Sequence, residues 1–443
     1  MKIQLSNHFT YRRLLQLVFP SIVMMIFTSI YGVVDGLFVS NFVGKTPFAA
    51  INLIWPVLMA LGALGFMIGT GGSAIIAKTL GEGDRERANQ IFSMLVMVTV
   101  IGGLFFTAVG EAYMPDIARF LGAEGEMLQD CVTYGRIILA AESAFMLQNV
   151  FQSLLVTAEK PQLGLAFTVA AGMTNIVMDA LFVAVLGWGL IGAALATAAS
   201  QVVGGLAPLL YFLRKNDSLL RLTSFRMDWK ALGKTCTNGS SELMTNLSMS
   251  LVNILYNFQL MRLIGEDGVA AYGVIMYVNF IFIAIFLGYS IGCAPVIGYH
   301  YGATNHAELK NLLTKSLILM GIGGLVLTAF AEALSAPLSR MFVGYDRELM
   351  ELTCQGFRLY ALSFLVTGLN IFGSAFFTAL NNGLVSALIS FLRTLLFQIV
   401  AVLLLPLVWG VDGIWASIVV AELLAFLVTA GFLVNLRGRY HYA

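Results

Sequence analysis

Long apolar runs separated by short polar breaks cover nearly the whole chain. Most are about 20 residues or longer, enough for a helix of 1.5 Å rise per residue to cross a bilayer. Twelve runs are placed, near residues 14–40, 48–77, 91–113, 132–157, 162–186, 190–213, 237–263, 269–299, 312–335, 355–379, 384–408 and 412–436. They lack the short alternating segments of an outer-membrane barrel, so the pattern predicts an all-α polytopic membrane protein. Several runs exceed the bilayer's requirement and must tilt or bend. Gly62, Gly65, Gly69, Gly71 and Gly72 crowd the second, where small residues permit close helix approach.

The pattern repeats at a constant offset. Gly44 with Phe48-Ala49-Ala50 matches Gly265 with Val269-Ala270-Ala271, Gly81 matches Gly302, and Glu111-Ala112 matches Glu332-Ala333. Trp188-Gly189 and Gly192 match Trp409-Gly410 and Gly413 in the same register. Each copy holds six spans, so the copies share one orientation and are parallel repeats. The division expected is an amino-terminal lobe at 1–214, a cytoplasmic linker at 215–236 and a carboxy-terminal lobe at 237–443. Two similar lobes joined by a tether form the plan of transporters that rock about a central site.

Composition agrees: 59% of residues are hydrophobic and 11% charged, which excludes an ordinary soluble domain. The formal net charge of +1 gives no field for nucleic acid. Cys131, Cys236, Cys293 and Cys354 form no metal or disulfide framework. Arg12 and Arg13 precede an uncleaved first helix. Basic residues concentrate on the side that holds both termini, among them Lys2, Lys78, Arg85, Lys160, Arg226, Lys234, Lys310 and Arg437. The other side holds Lys45, Arg119, Arg262, Arg340 and Arg347, so both termini are expected in the cytoplasm of a multi-pass cell-membrane protein. A monomer suffices for such a plan.

Polar residues that break the repeat point to chemistry. Asp35 aligns with Tyr256, Asn175 with Leu396, Asp179 with Val400, and Thr197 with Ile418. An ionised carboxylate in hydrocarbon costs at least about 2.5 to 3.5 kcal/mol, so such residues face a bundle interior or a wet cavity. Asp35 lies about 31 Å along its span and Asp179 about 24 Å along its own, both in the outer half. Tyr134 and Thr197, on spans running the other way, reach the same level, and Asn175 shares a helix face with Asp179. The set suits a proton shared between carboxylates, or a sodium ion held by Asp35, Asn175, Asp179 and Thr197. The plainer reading is a structural hydrogen-bond network.

Here the chain resembles the multidrug and toxic compound extrusion (MATE) transporters over nearly its whole length, most closely a bacterial branch of MepA-like and DinF-like exporters. The resemblance rests on Pro20 followed by Asp35, on Asn175-x-x-x-Asp179, on the stretch Gly192 to Thr197, on Tyr134 and on the two six-helix lobes. It implies that Asp35, Tyr134, Asn175, Asp179 and Thr197 form the site of the coupling proton or sodium ion. It further implies that Pro20 accompanies a bend of the first helix. The function it implies is antiport by alternating access, exporting small amphipathic, often cationic compounds, with no cofactor and no enzymatic step. A flippase for a lipid-linked precursor is the alternative, although it would favour a strongly cationic cleft.

Other intramembrane polar groups are weighed separately. Glu142 and Glu422, with Gln148, Asn149, Asn370 and Met173, are candidates to line a substrate cleft, structural pairing being the competing account for the acids. Glu242 and Arg393 are read as an ion pair, Arg136 and Arg358 as snorkelling residues, and Glu111 and Glu332 as interfacial. Gly44-Lys45-Thr46 and Gly233-Lys234-Thr235 resemble the tail of a P-loop but lack its upstream glycine, which argues against an ATP-driven enzyme.

Overall fold

The computed structural model describes residues 4–442, without the side chains of Leu37, Ser40, Asn41 and Lys45. Lys2 and the side chain of Lys45, the lysine of the first P-loop-like triplet, therefore fall outside the described residues. Helices account for nearly all of the chain, and no strand occurs among the described residues.

The amino-terminal lobe begins with α1 (Tyr11–Phe42), α2 (Lys45–Gly81) and α3 (Arg85–Phe120). Then come α4, in two halves (Gly125–Ala140 and Glu142–Thr157), α5 (Pro161–Asp179, extended by a π-helical turn at Ala180–Val185) and α6 (Gly189–Leu213). The carboxy-terminal lobe begins with α7 (Trp229–Leu263), α8 (Glu266–Gly302) and α9 (His306–Val343). Next is α10, again in two halves (Arg347–Ala361 and Phe364–Ala379). The last run, Gly383–Asn435, is 53 residues long, about 80 Å as one helix and far more than a bilayer needs. Gly410, at φ 57° and ψ −132°, breaks it into α11 and α12. Twelve spans result, as the sequence predicts. Span seven starts earlier than expected, at Trp229 instead of 237, because the Asp228 side chain accepts from the Ala231 amide and caps the helix.

The repeat is written into the backbone. Positive-φ corners occur in equivalent pairs: Gly44 with Gly265, Gly83 with Thr304, Glu159 with Asn381, and Gly189 with Gly410. The bends repeat too, by 55° between the halves of α4 and by 47° between those of α10. Gly189 and Gly410 turn the chain sharply between the last two spans of each lobe, a conformation that costs a glycine little.

The lobes meet along α1, α2, α7 and α8, and they are tightest at the end that holds both termini. A Cβ on Gly71 would lie 2.0 Å from the Thr235 carbonyl oxygen, and one on Gly239 1.9 Å from that of Met67. Further along, Gly81 stands in the same relation to Tyr299, and its repeat mate Gly302 to Lys78. Each crossing thus has a glycine on both helices, and the backbones touch directly.

Hydrogen bonds complete this seal. Asn381 donates to the Ala74 carbonyl at 3.2 Å. Glu308 on α9 accepts from the Phe9 amide at 2.8 Å, and Lys315 donates to the Phe9 carbonyl at 2.6 Å. Buried Leu5 is held on the other side, its amide donating to Glu159 at 2.8 Å. Toward the opposite end, the last side-chain hydrogen bond between the lobes among the described residues runs from Ser29 to the Phe280 carbonyl, at 3.3 Å.

Gly71→Leu should force the seal apart, because a backbone carbonyl cannot yield as a side-chain tip does. Overpacking of this kind costs about 1–3 kcal/mol. Half-buried Cys236, next to Thr235 at this crossing, is a native reporter. Its maleimide labelling, read by mass spectrometry, should speed up several-fold in the variant; an unchanged rate would show that Gly71 does not hold the seal.

Candidate functional site

Asp35 lies on α1 about 36 Å beyond Tyr11, well past the sealed half. Asn175 and Asp179 project from one face of α5 and are buried, the latter completely. The π-helical turn starts directly after Asp179; such turns widen a helix locally and gather at functional sites. The Asn175 amide donates to Asp35 Oδ1 at 3.4 Å. Asp179 and Thr197 both come within hydrogen-bonding reach of the Asp35 carboxyl, and Thr197 also reaches buried Tyr134. The structure therefore brings Asp35, Tyr134, Asn175, Asp179 and Thr197 into one cluster inside the amino-terminal lobe.

The cluster's donors and acceptors do not balance. Both Asp179 carboxylate oxygens and the Asn175 Oδ1 are buried without a donor. The carboxylate facing Asp179 is another acceptor, so two ionised aspartates would oppose each other in a dry interior. One added positive charge relieves this, either a proton between the carboxyls or a hard cation on their oxygens. Among the described residues no group of three or more His, Cys, Asp and Glu side chains could hold a metal ion. Sodium would thus depend on the amide and hydroxyl oxygens beside the two carboxylates. Tyr31, one turn before Asp35, bonds to Gln148 and frames the cluster from α1. Its i, i+4 spacing from Asp35 was the signal available in the sequence.

Pro20 lies inside α1, which stays helical from Tyr11 to Phe42 around it. Proline removes one backbone hydrogen bond, leaving a point of weakness below Asp35.

A cavity of about 300 Å³ opens between the lobes, lined chiefly by α7, α8, α10, α11 and α12, with Met25, Ser29, Phe66 and Gln152 from the other lobe. Of the residues proposed for a substrate cleft, Glu422 lines it. Glu142 does not: it starts the second half of α4, is fully buried, and neither carboxylate oxygen has a partner. Gln148 and Asn149 are buried within the amino-terminal lobe, where Asn149 donates to the Gly62 carbonyl at 3.1 Å. Met173 is exposed on α5, outside the cavity lining. Asn370 lies just behind the lining, donating to Glu422 Oε2 at 2.7 Å and to its carbonyl at 2.9 Å. Met249 and Met276 take the wall positions.

The ion pairs also differ from expectation. Arg393 donates from Nε to Glu422 Oε1 at 2.9 Å, in a pair whose side chains are 10% and 2% exposed. It does not pair with Glu242, because α12 presents Glu422 directly to it while Glu242 stands farther off on α7. Arg136 pairs with Glu111 at 3.4 Å, and their repeat mates Arg358 and Glu332 approach to 3.9 Å. Arg358 donates from Nε to Ser335 at 3.1 Å, and all four side chains are partly exposed, so the pairs add to the snorkelling and interfacial placement expected of them.

Two parallel six-helix lobes, a polar cluster buried in one and a cavity between them define a membrane transporter of the two-lobe class. The MatE family model matches residues 20–181 and again 243–404, once in each lobe. The chain belongs to that family of multidrug export transporters; it is not an enzyme. It is 22% identical over 422 residues to the multidrug export protein MepA of Staphylococcus haemolyticus, covering 95% of this chain and 92% of that protein. A MATE protein crystallised with MaL6 superposes with a TM-score of 0.92 at 25% identity, covering 98% of this chain and 97% of that one. A multidrug resistance MATE family transporter of the MOP superfamily in an outward-facing conformation gives 0.91 at 25% identity, with the same coverage.

Removing Glu422 alone would leave Arg393 buried and unpaired, which costs about 3–5 kcal/mol. Glu422→Leu should therefore lower the Tm of the purified protein far more than the paired change Glu422→Leu with Arg393→Met. The half-exposed Arg136→Met should stay within about 1 kcal/mol of the wild type. Equal Tm values for the single and paired Glu422 variants would show that the ion pair does not carry this burial.

Proposed function

We propose that the protein is a secondary antiporter that exports small amphipathic, often cationic compounds in exchange for a proton or sodium ion. The observation that carries the reading is the Asp35–Asp179 pair: two carboxylates face each other inside the amino-terminal lobe, with the Asp179 oxygens buried and lacking any donor. A permanent structural network would supply those donors. A site that binds and releases a positive charge leaves them open.

In this reading both termini are cytoplasmic and the glycine seal closes the cytoplasmic end. The cavity then faces outward, as in the outward-facing relative. The compound binds between the lobes, against aromatic and methionine side chains that adapt to varied shapes. The coupling ion enters the Asp35–Asp179 cluster from outside, repacks α1 near Pro20 and lowers affinity for the compound. The exchange requires the ion to bind the two lobe arrangements with different affinities, since equal affinity shifts no equilibrium. A single chain completes the cycle. Among the described residues lining the cavity, Arg393 is the one cation, and a single guanidinium does not balance the charge of a pyrophosphate, so a flippase for a lipid-linked precursor finds little support.

The test is ethidium efflux from proteoliposomes under an imposed proton gradient and, separately, a sodium gradient, with wild type and Asp35→Asn. Efflux should follow one gradient and fall at least tenfold in the variant, with unchanged folding by size exclusion, because the carboxylate pair has become a single acid. Undiminished gradient-driven efflux in Asp35→Asn would remove coupling from this pair.

A further inference from the structure

The charged groups of the cavity are concentrated on one wall and are unequally satisfied. Glu422 is saturated: Oε1 accepts from Arg393, and Oε2 and the backbone carbonyl both accept from Asn370. It is neutralised and fixed, and so is a poor receptor for a cationic compound. Arg393 is not saturated. Its Nε–H bond to Glu422 is the guanidinium's only hydrogen bond among the described residues, and the side chain lines the cavity. The two terminal guanidinium nitrogens therefore keep their donors for something else. Arg393 also sits on the π-helical stretch Leu392–Leu396, where the widened turn carries it inward from α11.

Glu242, on α7, lines the same cavity. Its carboxylate has no hydrogen-bond partner among the described residues, yet it lies within electrostatic range of Arg393. The wall thus offers one free carboxylate and one guanidinium with free donors, unpaired with each other but within electrostatic range across the same cavity. Flat aromatic surfaces adjoin them. Tyr256 and Tyr272 stack at 4.9 Å with only 5° between their planes, and Tyr360 and Phe280 complete the lining.

We propose that this wall is a dipolar recognition site, with Arg393 binding the carboxylate and Glu242 the cationic centre of flat aromatic zwitterions. The inference rests on the reading of the cavity as the export site and sharpens its substrate class. The Glu422–Asn370 bracket is the positioning element: by engaging Nε and leaving the other nitrogens free, it turns the planar fork of the guanidinium toward the compound. A cation lacking a carboxylate would use Glu242 alone and leave those donors unmet. The site therefore favours the zwitterion over the matching simple cation.

Rhodamine 110, which carries a carboxylate, and rhodamine 123, its methyl ester, differ in that one group. Their Kd values are to be measured by fluorescence polarisation on the purified full-length protein. Wild type should bind rhodamine 110 more tightly than its ester. In Arg393→Gln/Glu422→Gln, which removes both charges together and keeps amides in place, that ratio should fall by about tenfold, the worth of a charge-assisted hydrogen bond. Arg393→Lys, which keeps the charge but loses the fork, should lie between and serves if the double variant does not fold. Glu242→Gln should weaken both dyes in parallel. An unchanged ratio in the Arg393 variants overturns the dipolar site while leaving drug binding in place. Failure of folded wild type to bind either dye overturns the export-site reading, and this inference with it.

Discussion

An ionised group between membrane helices has no water to stabilise it, and the two lobes answer that constraint in opposite ways. In the carboxy-terminal lobe the answer is internal, because Arg393 and Asn370 occupy both oxygens of Glu422. In the amino-terminal lobe Asp179 meets Asp35, another acid, and neither supplies what the other lacks. Glu422 is thus satisfied from within its lobe, whereas the Asp35–Asp179 pair lacks a positive charge of its own. The coupling role proposed for the amino-terminal lobe is the functional form of that difference.

The constraint also governs how the halves touch. The sealed end is built from glycines on α2, α7 and α8 that let backbones meet, reinforced by side chains bonded to carbonyls and amides. No charged residue has to cross a hydrocarbon layer for such a contact to form. Gly81 and Gly302, repeat mates, make the same contact from opposite sides, so the interface carries the pseudosymmetry of the chain. Rigid bodies in backbone contact at one end and parted at the other are suited to rocking.

Much of this was legible in the sequence. The twelve spans followed from apolar run length, and the lobes from the register linking Gly44 to Gly265 and Gly189 to Gly410. Depth arithmetic placed Asp35, Asp179, Tyr134 and Thr197 near one level and i, i+4 spacing added Asn175, and the structure gathers all five. Depth does not give azimuth, however. Glu142 and Asn149 lie at a suitable height but on buried faces of the amino-terminal lobe, and Met173 lies on an outer surface. Pairing failed for the same reason. Glu242 and Arg393 share a depth, but α12 turns Glu422 to the guanidinium first. The π-helical turns after Asp179 and around Arg393 shift the facing of whole segments, and no residue type announces them.

At the 221-residue offset of the sequence repeat Arg393 falls opposite Gly172, and that glycine is tightly enclosed. A Cβ there would come within 2.5 Å of Phe27 and 2.8 Å of Tyr31, the rings that pack α1 against α5 just below Asp35. The frame around the aspartates thus leaves no room in one half, without moving these rings, for the arginine present in the other. Divergence here is asymmetric: the amino-terminal half would have to move the rings that frame its aspartates before it could take up the other half's arginine.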